Sequence, residues 1–305
     1  MATAAGKHRQ IGQPGIPDLR EPAGWRRAKN QIMTSLMVLA FLVILVPLVL
    51  VLYLVIAKGV SAINWQFLSS STVPLDVDPL GVGGGMGPAV LGTILITGLA
   101  TLFAVPLGIL GAVYLNEYGG RGWLAALIGF MSDVMTGVPS IVMGLFIFSI
   151  WVLHFGYSGL AGAFALACLM LPVVIRSTYE MLRLVPNSLR EGSYALGATK
   201  ARVTVTVVLP AAVGGIVSGA LLAIARAAGE TAPLLFTILT VTAANPNVFS
   251  GPNTSLPSQI FANASQPYPG AQDRGWGAAL TLIAICFILM IAARIVTARF
   301  ARYQH

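Results

Sequence analysis

Two ionisable residues stand in the stretch Arg226-Ala-Ala-Gly-Glu230-Thr-Ala-Pro-Leu-Leu, within a run otherwise apolar enough to cross a membrane. A charge at the centre of a bilayer costs about 3 kcal/mol on insertion scales, so an intramembrane ionisable residue calls for a reason. Spacing of four places Arg226 and Glu230 on one helix face, where they can neutralise one another. A guanidinium presents forked donors matched to a tetrahedral oxyanion, so the chemistry on offer is reversible anion capture. Arg226 would meet the anion, and Glu230 would hold the arginine until it passes. A purely structural salt bridge fits the same spacing, although apolar residues can often replace such pairs at little cost. Arg176, at the inner end of an earlier apolar run, is the next cation along such a path; it also reads as an ordinary positive-inside anchor.

Gly214 and Ser218 continue the face of Arg226 at spacing four, and Gly215, Gly219, Ala223 and Ala227 form the neighbouring stripe. Small residues at that spacing admit a second helix at close range. They predict that the pair points into a helix bundle rather than at lipid.

A second constellation is polar: Pro186-Asn-Ser-Leu-Arg-Glu-Gly-Ser-Tyr-Ala-Leu-Gly197. Ser188 and Glu191 are spaced as a capping box, and Gly197 can take the left-handed position after a helix end. The helix so defined is too short to stand alone in water, so it must dock on its own membrane domain or on a partner.

The elements that position these residues follow from composition. Of 305 residues, 56% are hydrophobic and 9% charged, and the mean hydropathy is +0.83. Continuous apolar runs of about 20 residues mean membrane-spanning helices, and the absence of period-two alternation excludes an outer-membrane barrel. Six spans are expected. The first is Ile32 to Ala57, the second lies within Ala89 to Asn116, and the third is Val134 to Leu153, kinked at Pro139. The fourth ends near Ile175, the fifth runs from Leu209 to about Leu239, and the sixth from Gly275 to about Val296. Asp133 is expected near the inner surface, after a shallow segment. Residues 1–31 read as a disordered tail and 32–305 as one transmembrane domain, with a polar loop at about 177–208. The glycine-rich Gly81 to Gly87 lacks the phosphate-loop arrangement and reads as a flexible entry to the second span.

Cations settle the orientation expected. Six lie in the tail, one after the second span, five after the fourth and three at the C-terminus, against Lys58 and Arg274 opposite. Both termini are therefore expected in the cytoplasm. The net charge of +8 is explained the same way, without nucleic acid. Cys168 and Cys286 show no metal or redox spacing, and the Asn253 and Asn263 sequons read as chance. No Walker A, HExxH or GxSxG motif is present, which argues against hydrolysis by this chain.

Glu191, Gly197, Val207, Leu209 and Pro210 resemble the EAA loop of bacterial ABC importer permeases, whose coupling helix rests in a groove of an ATPase subunit. Gly192 and Ser193 replace the two alanines, and Val207 replaces isoleucine. By this resemblance Ser188, Glu191, Gly192, Ser193, Leu196 and Gly197 couple to the ATPase. The segment 193–235 narrows the likeness, together with Gly137-Val-Pro-Ser-Ile-Val142, Gly84-Gly-Met-Gly-Pro88 and Ser255-Leu-Pro257. Together they are similar to the PstA-type permeases of phosphate-specific ABC importers. The resemblance implies a type I importer (MetI-like) fold in the bacterial inner membrane and transport of phosphate. It also implies a second, PstC-like permease, two PstB-like ATPase subunits that bind the ATP, and a PstS-like phosphate-binding protein. A permease for sulfate or molybdate, an ATP-independent channel or secondary transporter, and a membrane enzyme are the competing readings.

Overall fold

The computed structural model describes residues 24–72, 84–120 and 122–301, and every described element is helical. The tail before Gly24, the loop carboxylates Asp76 and Asp78, Arg121 and Arg302 lie outside the described residues. The chain divides into two units, the first ending at Tyr53 and the second beginning at Leu54.

Helix α1 (Gly24–Ala62) carries Arg26, Arg27 and Lys29 in its first turns, upstream of the apolar run. Lys, Arg and Ala are good helix formers, so the helix extends past the start of that run. A short α2 (Trp65–Ser69) is capped by the Asn64 side chain. Gly84 to Gly87 is not a flexible entry but a packed one. Met86 is fully buried and donates its amide to the Phe67 carbonyl at 2.6 Å, and a Cβ on Gly85 would fall 2.5 Å from that same oxygen. Glycine is required there because the two backbones touch.

The second span is α3 (Gly87–Val113), closed by a π-turn at Tyr114–Tyr118. The third differs from expectation. Helices α4 (Trp123–Gly137) and α5 (Ser140–Ile147) meet at 109°, where Pro139 lacks the donor needed to continue the helix. A π-turn (Phe148–Val152) and α6 (Leu153–Phe155) complete that arm. The fourth span, α7 (Gly159–Arg183), runs two turns beyond Ile175. Then come α8 (Asn187–Ala195) and a nearly continuous helix made of α9 (Lys200–Val203), a π-turn (Thr204–Val208) and α10 (Leu209–Ala228). After a break come α11 (Ala232–Thr237), α12 (Leu256–Ala264) and α13 (Pro269–Ala301). Among the described residues five helices are long and apolar enough to span, and six if the bent α4–α5 arm is counted as one span.

The core of the second unit is layered along α7. At the middle, Ile96, Ala100 and Ala104 of α3 pack on Leu166 and Met170, closed by Ala227, Leu234 and Ile238. At the inner end Leu182 and Val185 pack on Val203, Val208 and Ile216. Small residues set the spacing: a Cβ at Gly108 would meet Val174 at 2.6 Å, and one at Gly144 would meet the Pro233 backbone at 2.6 Å. The stripe Gly215, Gly219, Ala223 and Ala227 does admit a second helix, α7, through Met181 and Ser177.

On the outer side, α12 is held by a Ser255–Ser258 capping box, and the Leu256 amide donates to the Thr93 hydroxyl at 2.8 Å. Asn253 and Asn263 are buried and hydrogen-bonded in this layer, which leaves neither sequon accessible. A Cβ on Gly92 would overlap the Thr254 carbonyl oxygen, whereas one on Gly98 meets nothing. Gly92→Ala is expected to destabilise the protein by about 1–3 kcal/mol, and Gly98→Ala to be neutral or stabilising. Thermal unfolding in detergent, followed by dye reaction at Cys168 and Cys286, checks both.

Candidate functional site

Arg226 and Glu230 do come together, but not on one continuous helix. Pro233 cannot supply the amide that would bond to the Gly229 carbonyl, so α10 ends at Ala228 and Gly229 forms its cap. The amides of Gly229 and Glu230 instead close a tight last turn onto the carbonyls of Arg226 and Ala227, both at 3.1 Å. Across that turn Arg226 Nε lies 3.7 Å from Glu230 Oε1. The arginine side chain is 71% exposed and the glutamate 21%. Arg226 thus points away from the other helices of this chain, while Glu230 is half-buried against them. The buried stripe of α10 is the neighbouring one, around Ala223 and Ala227, while Ser218, Leu222 and Arg226 share the outward face.

That outward face continues onto α7. Arg226 and Glu230 share a crevice with Leu169, Met170 and Val173. Leu169, Val173, Arg176, Glu180 and Arg183 recur at alternating spacings of four and three, which is one face of a helix; the last three are exposed. Arg176 therefore lies roughly 5–10 Å inward of the Arg226 crevice, at 1.5 Å of rise per residue. It sits within α7, not at its end. Its Nη1 donates to the carboxylate of Asp133 on α4. Asp133 thus stands beside the inner half of α7, as a partner rather than as a lone surface charge. An open cavity of about 420 Å³ lies here, lined by Ser132, Asp133, Arg176, Tyr179, Glu180 and Arg183 among others.

The outward face thus presents, in order toward the C-terminal end of α7, Arg226 with Glu230, Arg176 with Asp133, and Arg183 beside Glu180 on the same helix face. Each cation has an acid close by or on the adjacent turn, so an anion could pass from one guanidinium to the next by exchanging with a carboxylate. The groups are donors and counter-charges; this face carries no nucleophile–base pair. Among the described residues no cluster of His, Cys, Asp and Glu could hold a metal ion.

The polar helix α8 begins two residues earlier than the Ser188–Glu191 spacing suggests. Pro186, not Ser188, is the N-cap, and no side chain caps the end, so the Ser188–Glu191 capping box does not form. Proline at that position fixes an extended entry (φ −59°, ψ 139°), which places Ser188 inside the first turn. At the other end Gly197 has φ +79°, as its position predicts. Its amide bonds to Tyr194 O at 2.9 Å and that of Ala198 to Ser193 O at 3.2 Å, the paired bonds of a Schellman ending. No residue of α8 is buried, and Leu196 at its end is 89% exposed. Glu191, Gly192 and Ser193 lie on this helix, with Ser193 Oγ bonded to the Leu189 carbonyl.

Sequence spacing missed one feature entirely. Glu117, in the π-turn after α3, is buried and paired with Arg190 of α8 at 3.0 Å. The two are 73 positions apart and Asp133 and Arg176 are 43 apart, so no local periodicity signals either pair. The one available hint was that each acid sits at or inside an apolar run, and so demands a cation.

Gly197→Ala forces a left-handed alanine at a cost of about 1–2 kcal/mol. The amides of residues 197 and 198 are expected to exchange with deuterium roughly 5- to 30-fold faster, with slower exchange in Gly192→Ala, which sits in open helix. Equal rates in all three proteins would contradict the assignment.

The comparisons with known proteins now bear on this geometry. Residues 104–302 match the family model of the binding-protein-dependent transport system inner membrane component. The chain is 44% identical over 293 residues to the phosphate transport system permease protein PstA 1 of Mycobacterium tuberculosis H37Rv, covering 94% of this chain and 93% of that protein. It is 41% identical over 288 residues to the phosphate transport system permease protein PstA of Yersinia pestis, covering 94% and 95%. Among solved structures, a chain of the inward-facing MetNI methionine ABC transporter superposes with a TM-score of 0.60 at 16% identity, covering 75% of this chain and 99% of that one. A chain of a bacterial alginate ABC transporter, in complex with an alginate pentasaccharide-bound periplasmic protein, gives 0.61 at 13% identity, covering 90% and 97%. These two share the fold: a helical importer permease of the MetI-like class.

Proposed function

Since the chain belongs to the family of binding-protein-dependent transport system inner membrane components, we propose that it is a permease subunit of an ATP-driven importer that carries inorganic phosphate into the cytoplasm. The substrate assignment draws on the two phosphate transport permeases above 40% identity over nearly the whole chain. The observation that carries it physically is the outward line of guanidinium–carboxylate pairs on α10 and α7. At membrane depth such charges cannot face lipid, so that face needs a polar or water-filled surface opposite it. A second, homologous permease supplies that surface, and the path runs between the two subunits.

On this reading phosphate enters from a periplasmic binding protein and meets Arg226. The guanidinium exchanges Glu230 for the anion, with two forked donors replacing a loose contact at 3.7 Å. Arg176 then accepts it at the cost of releasing Asp133, and the carboxylates reclaim the arginines once the anion has left. The acids keep each cation neutralised when empty and limit how tightly phosphate is held, which a conducting path requires. Helix α8, within the loop at about 177–208, docks on one of two ATPase subunits in the cytoplasm, through Ser188, Glu191, Gly192, Ser193, Leu196 and Gly197. ATP is bound and hydrolysed there, not by this chain. Both termini lie on the same side as that loop, by its excess of Lys and Arg.

In proteoliposomes holding the whole transporter, Arg226→Gln is expected to assemble normally and to lower phosphate uptake roughly 10- to 100-fold, the value of one charge-assisted bond set. Normal uptake would make the pair structural. Excess unlabelled phosphate should abolish uptake of the labelled anion while sulfate and molybdate leave it unchanged. Competition by sulfate alone would overturn the substrate, and uptake with an inactive ATPase would indicate a channel or secondary transporter.

A further inference from the structure

Helix α8 has no buried residue and packs on α9 and the π-turn that follows it, so apolar packing does not tie it to α3 and α7. What ties it is one guanidinium. Arg190 Nε and Nη2 donate to Glu117 Oε1 at 3.3 and 3.0 Å, on the π-turn that closes α3. Nη2 also donates to the Leu182 carbonyl at 2.9 Å and Nη1 to the Val185 carbonyl at 2.6 Å, at and just past the end of α7. A fifth bond, 3.2 Å, joins Nη1 to Asn187 Oδ1 at the start of α8 itself. A guanidinium has five N–H groups, and all five are used. The Glu117 and Arg190 side chains are only 5% and 13% exposed, so water does not compete for these bonds. Asn116 Nδ2 also bonds to Glu117 Oε1 at 2.7 Å and fixes that carboxylate from its own turn.

We propose that the Glu117–Arg190 pair is the transmission joint of the permease: it makes the inner ends of α3 and α7 follow α8, so that nucleotide-driven movement of α8 reaches the anion path. This rests on the reading of α8 as the helix that contacts the ATPase. Helix α7 carries Arg176 and lines the Arg226 crevice, so the joint lies one rigid helix away from the groups that meet phosphate. The π-turn at Tyr114–Tyr118 turns Glu117 inward toward α8 where a plain helix end would leave a charged side chain free to reach water. Glu117 and Arg190 are positioning residues; neither touches the anion.

The pair is tested in the reconstituted transporter with its binding protein and phosphate, by the ratio of phosphate imported to ATP hydrolysed. Glu117→Gln keeps the shape and removes the charge; Arg190→Lys keeps the charge and loses the fork. Both are expected to retain the ATPase subunits on purification while the ratio falls roughly tenfold, within the range typical of coupling between sites. Glu117→Asp is expected to recover at least half of it. An unchanged ratio in either of the first two variants overturns the joint. If Glu117→Gln does not assemble, the Arg190→Lys ratio decides, and loss of assembly in both makes the pair merely structural and overturns it as well. Leu196→Asp tests the underlying reading separately. It should strip the ATPase from the complex, and retention of the ATPase there would refute the docking role of α8 whatever the ratio does.

Discussion

A guanidinium at the depth of lipid chains must keep a carboxylate within reach and must not look at lipid, and most of this structure follows from that constraint. Arg226, Arg176 and Arg183 all lie on the outward face of the α10–α7 pair, and the first two have an acid in contact or within 4 Å. The acids come from three different places: the turn after α10, helix α4 and, for Arg190, the π-turn after α3. Each is delivered by an irregularity. Gly229 and Pro233 end α10 so that Glu230 can fold back; Pro139 turns α5 away from α4, whose last turns carry Asp133; and a π-turn aims Glu117.

The same irregularities need close backbone approach to be stable, and that is the role of the small residues. Gly144 lies against Pro233, Gly162 against Leu234 and Ile238, and Gly108 against Val174. Broken helices survive at this depth because neighbouring helices cover the freed backbone groups. A buried polar layer of Asn253, Ser258, Gln259 and Asn263 lies around α12, whose Leu256 amide bonds to Thr93 of α3. Toward α8 the ties between elements include two ion pairs, Glu117–Arg190 and Asp133–Arg176.

Much of this was legible in the residues themselves. Apolar run length located the spans, and the single left-handed position after α8 was readable because only glycine sits there at low cost. The small stripe of α10 was readable as a packing surface, but two stripes one residue apart point about 100° apart, and spacing alone does not say which meets α7. The capping box at Ser188 failed because Pro186 set the entry of the chain first. Glu117–Arg190 and Asp133–Arg176 could not be read at all, since contacts across 73 and 43 residues depend on how helices pack, not on local period.

The central claim is that the outward face of α7, between Arg226 and Arg176, lines the anion path in the assembled importer. Val173 lies on that face between the two arginines. The direct measurement replaces Cys168 and Cys286, introduces Val173→Cys, and follows its reaction with a membrane-impermeant thiol reagent in the complete transporter while the motor cycles. The account predicts modification that phosphate slows and sulfate does not. A thiol that stays unreactive throughout the cycle, or one whose reaction ignores phosphate, would contradict it.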